Sequence, residues 1–527
     1  LSLLFISISS GCGASTGADG TSATSAGGFG FGSEGVQPVG EGSSGVVVPG
    51  AADFALFRKI LDAGDVPSPD TLDDLGFFAE HKLDFKAPTC GAKLCMDARV
   101  GIRPNMITGS TCTIVQVGLN SPVKPETLDR PPLHLVVLVH NATSMKGDAI
   151  AAAREGLTRL IQTTTKEFPA DKVSLVAYDA DVTTPFAYLG AQEATTMEQQ
   201  VLMLTATASG SNFYAGLQGA YALALDKSAV GQATRVLLVT NGHVDRGITS
   251  PTKTAALIAA MAAQDVPLTI VGVGKIEHHS DLIAFAEAGQ GSLYVAESGS
   301  AVQDIFTEEQ RTAVFAIARD VDIRFTAADG WAIRGVYGVR NAAVNQGQMS
   351  VRIPALYLAK RQTAADPIEG GRRGGGGVLQ VELIPLGSFD DPKLSQIGSV
   401  GLDWNDPVTG KHHGDNAGMV ISGLSAAKVA TGTFSDFTSE KGFVMLNLYV
   451  GLKMAADLVQ DGDSGAASSV LTALSEATAA WLAQQASADL DITDDLKWVN
   501  LFASIVATLP PSQQTPRVPP PNPWPSD

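Results

Sequence analysis

The run HLVVLVH, residues 134–140, decides how this chain is read. It is continuous, apolar and rich in β-branched residues, as expected of a strand buried on both faces and therefore of a parallel sheet covered by helices. A polar loop follows. Apolar residues then return at helical spacing, Ile150, Ala153, Leu157, Leu160 and Ile161, to about Thr164. The alternation repeats. Strands are predicted at VSLVAY (173–178), RVLLVT (235–240), PLTIVGVG (267–274) and SLYVA (292–296). Helices are predicted near 195–204, over 213–226, near 252–263, near 280–288, and in a short stretch ending near 309, with Asn212 placed to cap the second. The expected class is α/β: a doubly wound, mostly parallel sheet with helices on both faces. Ligands of such sheets bind at the carboxyl ends of the strands, at the topological switch point.

Four motifs fall at those ends: HNATSM (140–145), GSNFYAGL (210–217), LLVTNG (237–242) and TIVGVG (269–274). Together they resemble the landmarks of a von Willebrand factor type A domain, which the resemblance places over residues 131–310. That family's first strand ends in D-x-S-x-S. A Thr and a later Asp join it to hold a divalent metal, and a carboxylate from a partner protein often completes the coordination. On this sequence the first Asp position is His140 and the first Ser position is Ala142. The second Ser is kept as Ser144, the Thr position is Ser211, and the last Asp position is Asn241. Both carboxylates are absent. Mg²⁺ dehydrates reluctantly and is held with the help of carboxylates, so no bound Mg²⁺ and no other cofactor is expected. An alternative set is His140, His243 and Asp245, whose imidazoles and carboxylate suit Zn²⁺ or another transition metal. Against it, His140 reads as a substituted relic and His243 as an exposed loop residue. The pairs His278-His279 and His412-His413 read as polar loops.

The resemblance extends to the flanks. Residues 53–81 form two helical stretches around a Pro-containing turn, similar to the segment that precedes the A domain in certain bacterial von Willebrand-type lipoproteins. Candidate strands lie at 113–120 before the domain, and at 321–327, 331–339, 350–356 and 378–386 after it. Several alternate polar and apolar residues, as half-buried antiparallel strands do. The expected flanks are residues 51–130, helical and β, and 311–425, β-rich. Their strands share one small antiparallel β-sandwich into which the A domain is inserted, leaving its strand-end face free. Residues 440–508 return to helical period and read as three packed helices, with Leu446, Val450 and Met454 as core.

The ends give an address. LSLLFISI (1–8) resembles the apolar region of a signal peptide, and Ser9-Ser10-Gly11-Cys12 resembles a bacterial lipobox whose Cys carries lipid. Residues 1–12 are read as signal, 13–50 as a Gly/Ser-rich disordered tether, and 509–527 as a Pro-rich disordered tail. In an oxidising compartment one disulfide is expected, Cys90–Cys95, with Cys95–Cys112 as the alternative. Zinc is disfavoured there because no His pair lies nearby to complete four ligands.

Over 527 residues the formal net charge is −18, which argues against nucleic-acid binding. The densest basic stretch, Lys360, Arg361, Arg372 and Arg373, reads as a solvated Gly-rich loop, and no apolar run reaches the ~18–20 residues that span a bilayer. No G-x-S-x-G, H-E-x-x-H or nucleophilic Cys supports catalysis, and Asp179 and Asp181 read as solvated loop residues. The expected function is noncatalytic: a lipid-anchored cell-envelope protein, periplasmic or surface-facing, whose A domain binds an unidentified protein partner. A passive structural part of an envelope assembly is the alternative, with a transition-metal binder or hydrolase behind it.

Overall fold

The structure is a computed structural model that describes residues 44–85, 88–124, 130–296, 299–312, 315–359, 361, 375–485 and 487–510. Lipobox Cys12 and nearly all of the C-terminal tail lie outside the described residues.

The elements run β1 (Ser44–Val47), α1 (Ala55–Asp62), α2 (Asp74–Glu80), β2 (Cys95–Pro104) and β3 (Thr111–Ser121) before the central domain. That domain comprises β4 (Leu133–His140), α3 (Asp148–Glu167), β5 (Lys172–Tyr178), β6 (Val182–Leu189), α4 (Ala194–Leu202), α5 (Phe213–Asp226), β7 (Ala233–Thr240), α6 (Pro251–Ala262), β8 (Leu268–Val273), α7 (His279–Ala288), β9 (Leu293–Ala296) and α8 (Gly299–Thr312). After it come β10 (Ala318–Ala327), β11 (Trp331–Tyr337), β12 (Ala343–Val344), β13 (Gln348–Leu358), β14 (Val378–Pro385), β15 (Gln396–Asn405), β16 (His412–Val420), α9 (Ala426–Thr431), β17 (Thr433–Phe434), α10 (Phe437–Gln460), α11 (Ser464–Leu482) and α12 (Leu490–Val506).

The central sheet has the order β6-β5-β4-β7-β8-β9, with every pair parallel except β5–β6. The strand order reverses between β4 and β7, which makes their carboxyl ends the switch point. Every residue of β4 is buried. Val137 and Val139 face α3, α4 and α8 through Leu157, Val201 and Phe306, while Val136 and Leu138 face α5, α6 and α7 through Leu217, Ile258 and Leu282. Strand β6 is not among the predicted strands. It is a largely solvated edge strand containing Pro185, which blunts pairing along that edge.

Mostly parallel pairing holds for the central sheet only. The flanks build a second, eleven-stranded sheet in which every pair is antiparallel, so among the described residues antiparallel strands outnumber parallel ones. Strands β2 and β3 precede the central domain and β10–β16 follow it, and their inner faces share one hydrophobic cluster that includes Val100, Val117, Phe325, Ile353 and Leu402. The expected tether reaches too far. Residues 44–50 are structured, with Ser44 and Gly45 pairing with β3 and Val46 and Val47 with β13. This short strand joins the two halves of the sheet, and its Gly/Ser start carries no periodic signal. Strands β2, β15 and β16 are likewise additions to the predicted set.

The segment after β1 continues onto the central domain. Ala52 bridges Leu293 of β9 in parallel, Leu293 N–H donates to Ala51 O at 2.9 Å, and Val295 N–H donates to the Asp53 carboxylate at 3.1 Å. This caps the exposed edge of the parallel sheet, a site that otherwise invites wrong pairing. Helices α1 and α2 pack with α10, α11 and α12 in a further cluster. Among the described residues α10 is long and apolar enough to cross a membrane, contrary to the reading that no run is, but 72% of its apolar window is buried in this cluster. Arg361, expected in a solvated loop, is buried and bonds to Asp491 at 2.7 Å. Cys90 and Cys95 form a disulfide with Cα atoms 5.8 Å apart, and Cys112 is buried on β3.

Candidate functional site

The site lies where β4 and β7 end. His140 is the last residue of β4 and points to the same side as Val136 and Leu138, so its imidazole is fully buried. Its ring stacks on Tyr178, the last residue of β5, at 4.8 Å and 10°. Tyr178 Oη lies 3.2 Å from Thr240 Oγ1, at the end of β7. His140 Nδ1 lies 3.0 Å from Asn241 Oδ1, and Nε2 is buried without a hydrogen-bond partner. Burial pushes the imidazole down to about 4, outweighing the hydrogen bond to Asn241 and the pull of Asp245 and Asp179. The ring is therefore neutral near pH 7.

Asn241 organises the loops around it. Its Oδ1 accepts from His243 N–H at 3.2 Å, and its Nδ2 donates to Ser144 O at 3.2 Å. Its own carbonyl accepts from Glu277 N–H at 2.8 Å. Gly242 follows with φ of 83°, and a Cβ there would lie 2.0 Å from Glu277 O, so the sharp turn after β7 requires glycine. Ser211 is buried. Its Oγ donates to His243 O at 2.6 Å, and its N–H donates to Asp245 Oδ1 at 2.6 Å. Ala142 is buried and bridges Ala208 in parallel, whereas the Ser144 side chain is exposed.

His243 is held more firmly than an exposed loop residue. Its side chain is 33% exposed, with Nδ1 2.8 Å from Glu277 and Nε2 3.7 Å from Asp245. Tyr178, Thr240 and Glu277 escape a reading of the sequence alone. Glu277 lies in the loop after β8, four residues beyond its last residue Val273, the one positional signal that could have found it. The other histidines also differ from expectation. His279 is buried at the start of α7, and His413 stacks on Trp404 at 4.3 Å, within β16. The strand-end face is not wholly free either, because Lys59 of α1 donates to Gly274 O at 2.8 Å.

A hard divalent cation does not fit this donor set. Asn241 Oδ1 is occupied by two donors, Ser211 Oγ faces a carbonyl, and His140 turns Nδ1 to an amide oxygen. His140, His243 and Asp245 are not gathered as ligands either: among the described residues no group of three or more His, Cys, Asp or Glu side chains is placed to hold a metal ion.

The doubly wound sheet and its switch-point loops agree with the family comparison. The family model of the von Willebrand factor type A domain matches residues 134–308. This stretch of the chain is a von Willebrand factor type A domain. Such domains typically mediate protein–protein interaction or adhesion and are generally non-enzymatic. The chain is also 24% identical, over 202 residues, to the uncharacterized protein YfbK of Escherichia coli (strain K12). That match covers 38% of this chain and 35% of YfbK, so it spans about a third of the relative's length. Among solved structures, a von Willebrand factor type A protein from Catenulispora acidiphila aligns at a TM-score of 0.47 and 14% identity, over 80% of this chain and 98% of that one. The ArnB paralog VWA2 from Sulfolobus acidocaldarius aligns at 0.42 and 15%, over 79% and 98%.

Proposed function

We propose that the A domain is a noncatalytic protein-binding module that works without bound Mg²⁺, and that its contact surface is the face built from loops 140–147, 209–213 and 241–247. The supporting observation is the state of the five family metal positions. Two are His140 and Asn241, bonded to each other, one is Ala142, and Ser211 is hydrogen-bonded within the loops. Ser144, Asp245 and Arg246 remain exposed for a partner. The signal-like start and Cys12 support a cell-envelope protein held by lipid, with the interaction module outside the cytoplasm.

Two measurements test this. Bound metal is determined on the purified chain, and thermal stability is followed against added Mg²⁺, Mn²⁺ and Zn²⁺. The variant carrying His140→Asp, Ala142→Ser and Asn241→Asp is the positive control. Because a ligand that binds only the folded state raises its stability, only the restored variant is expected to respond to Mg²⁺. A Mg²⁺ response of the natural chain overturns metal independence. For the surface, a photo-crosslinking residue at exposed Arg246 is expected to capture an envelope protein, while one at exposed Val230, in the loop before β7, captures none. Equal labelling from both positions favours a passive structural role.

A further inference from the structure

Which atom of His140 carries the proton follows from its neighbours. His243 N–H can only donate, and it points at the side-chain oxygen of Asn241. The Ser144 carbonyl can only accept, and it faces the side-chain nitrogen. The amide of Asn241 is thereby fixed in one orientation, with its oxygen toward His140 at 3.0 Å. An oxygen accepts, so Nδ1 of His140 must be the donor. Nε2 is then the bare nitrogen, buried and without a partner. Stacking on Tyr178 holds the ring plane, and Tyr178 in turn meets Thr240. The ends of β5, β4 and β7 are tied together at the place where the family holds its cation.

We infer that His140 and Asn241 are a matched positioning pair: the Nδ1–H to Oδ1 hydrogen bond stands in for the shared metal, joins the β4 and β7 loops, and keeps the proposed binding face in one permanent arrangement. The inference rests on the metal-independent reading above. It explains why the two carboxylate positions differ together. Asp at 140 opposite Asn241 would set two acceptors against each other, and the amide cannot turn without losing His243 and Ser144. Asp at 241 would still accept from His140 and His243, but would turn its second oxygen to the Ser144 carbonyl, acceptor against acceptor, in a contact that is part-buried where the one at 140 is buried. Restoring one family residue is therefore worse than restoring neither, and the penalty is larger at 140.

The decisive readout is the tautomer. ¹⁵N-histidine NMR of the full chain, with His140→Asn used to assign the signal, is expected to show His140 with its proton on Nδ1 and Nε2 bare at neutral pH. A proton on Nε2 overturns the inference even if the chain binds no metal, so its failure is separate from failure of the functional reading, which the metal titration reports. The second readout is an isosteric series. His140→Asn keeps a donor at the Nδ1 position, and His140→Asp does not. The Asn variant is expected to unfold within a few degrees of the natural chain and the Asp variant several degrees lower, with Asn241→Asp between them. Adding Asn241→Asp and Ala142→Ser to His140→Asp is expected to recover the midpoint when Mg²⁺ is present. Equal losses in the Asn and Asp variants show that the hydrogen bond positions nothing and overturn the pair.

Discussion

The strand ends at His140 and the seam around Asp491 are both buried and polar, yet they are made of opposite materials. At the seam, full charges from segments far apart in sequence meet. Arg58 pairs with Glu80 at 2.8 Å, Arg361 with Asp491 at 2.7 Å, and Lys441 with Asp489 at 2.8 Å and Asp491 at 3.4 Å. His81 Nε2 lies 2.7 Å from Asp495, and Asp491 also accepts from the Lys82 backbone. The strand ends instead use an imidazole, an amide and a hydroxyl, and keep their carboxylates, Asp245 and Glu277, at the rim. The contrast separates two tasks. Opposite charges out of water are costly unless each finds its partner, so they select one arrangement of the helices and flanking sheet. Neutral groups hold loops in place while leaving the surface above them able to meet another molecule.

The largest effect is expected at the charged seam. Asp491→Ala leaves Arg361 and Lys441 buried without their shared carboxylate. Removing one side of a buried pair typically costs about 3–5 kcal/mol. Chemical denaturation is expected to show the transition of the helical and flanking-β unit moved by an amount of that order, with the transition of the A domain little changed. If both transitions move equally, the seam and the strand ends are one cooperative structure and the division of tasks fails.

Acid probes the neutral member. Strand β4 carries a histidine at each end of its core, and both His134 and His140 are pushed down to about 4, chiefly by burial. Their unfolded values lie near 6.5, so the unfolded chain binds more protons between these limits. This contribution is present above pH ~6.5 and is lost as pH falls through the folded values near 4. Each histidine accounts for a loss of up to about 3 kcal/mol, because every pH unit between its unfolded and folded values is worth ~1.4 kcal/mol. The midpoint of the A domain is expected to drop between pH 6.5 and 4, and His134→Gln and His140→Asn should each flatten that slope. An unchanged slope in both variants assigns the acid sensitivity elsewhere. Asp74 works in the opposite sense, since burial and the neighbouring Asp73 raise its carboxyl to about 6. Its contribution is lost as pH rises through 6, and because Asp74 lies on α2 it acts on the transition of the helical unit and not on that of the A domain.

The two regions are also unequally legible. β4, β7 and β8 can be read from sequence because a strand covered on both faces must be apolar throughout. The motifs at their ends then name the site positions. Edge strands obey a weaker rule. β6 is half solvated and holds Pro185, and β16 reads HHGDNAGMV with almost no apolar face, so neither carries a period of two. The seam gives no local sign at all. Arg361 and Asp491 are 130 residues apart, and each alone looks like a solvated charge. At the site, sequence names His140 and Asn241 but not their bond, because the orientation of an amide is set by the loops that approach it. Glu277 enters for the same reason: its backbone is drawn in by Asn241 O, and only then does its carboxylate meet His243.

The smallest effect on stability is expected at Ser144. Ser144 contributes its carbonyl to Asn241, and the backbone keeps that bond whatever the side chain is. Its hydroxyl is exposed, and surface substitutions away from caps and networks usually stay within about 0.5 kcal/mol. Ser144→Ala should therefore leave unfolding unchanged within that limit. Ser144→Trp, which keeps the same backbone and fills the space in front of the strand ends, should also fold normally. If the face binds a partner, the bulky variant loses crosslinking or affinity by at least about tenfold, which is ~1.4 kcal/mol of binding, while the Ala variant loses little. Stability and binding then separate at one residue, as expected of a surface held from behind by His140 and Asn241. If Ser144→Trp binds as the natural chain does, the geometry of these loops serves packing alone, and the strand ends belong with the seam as scaffold.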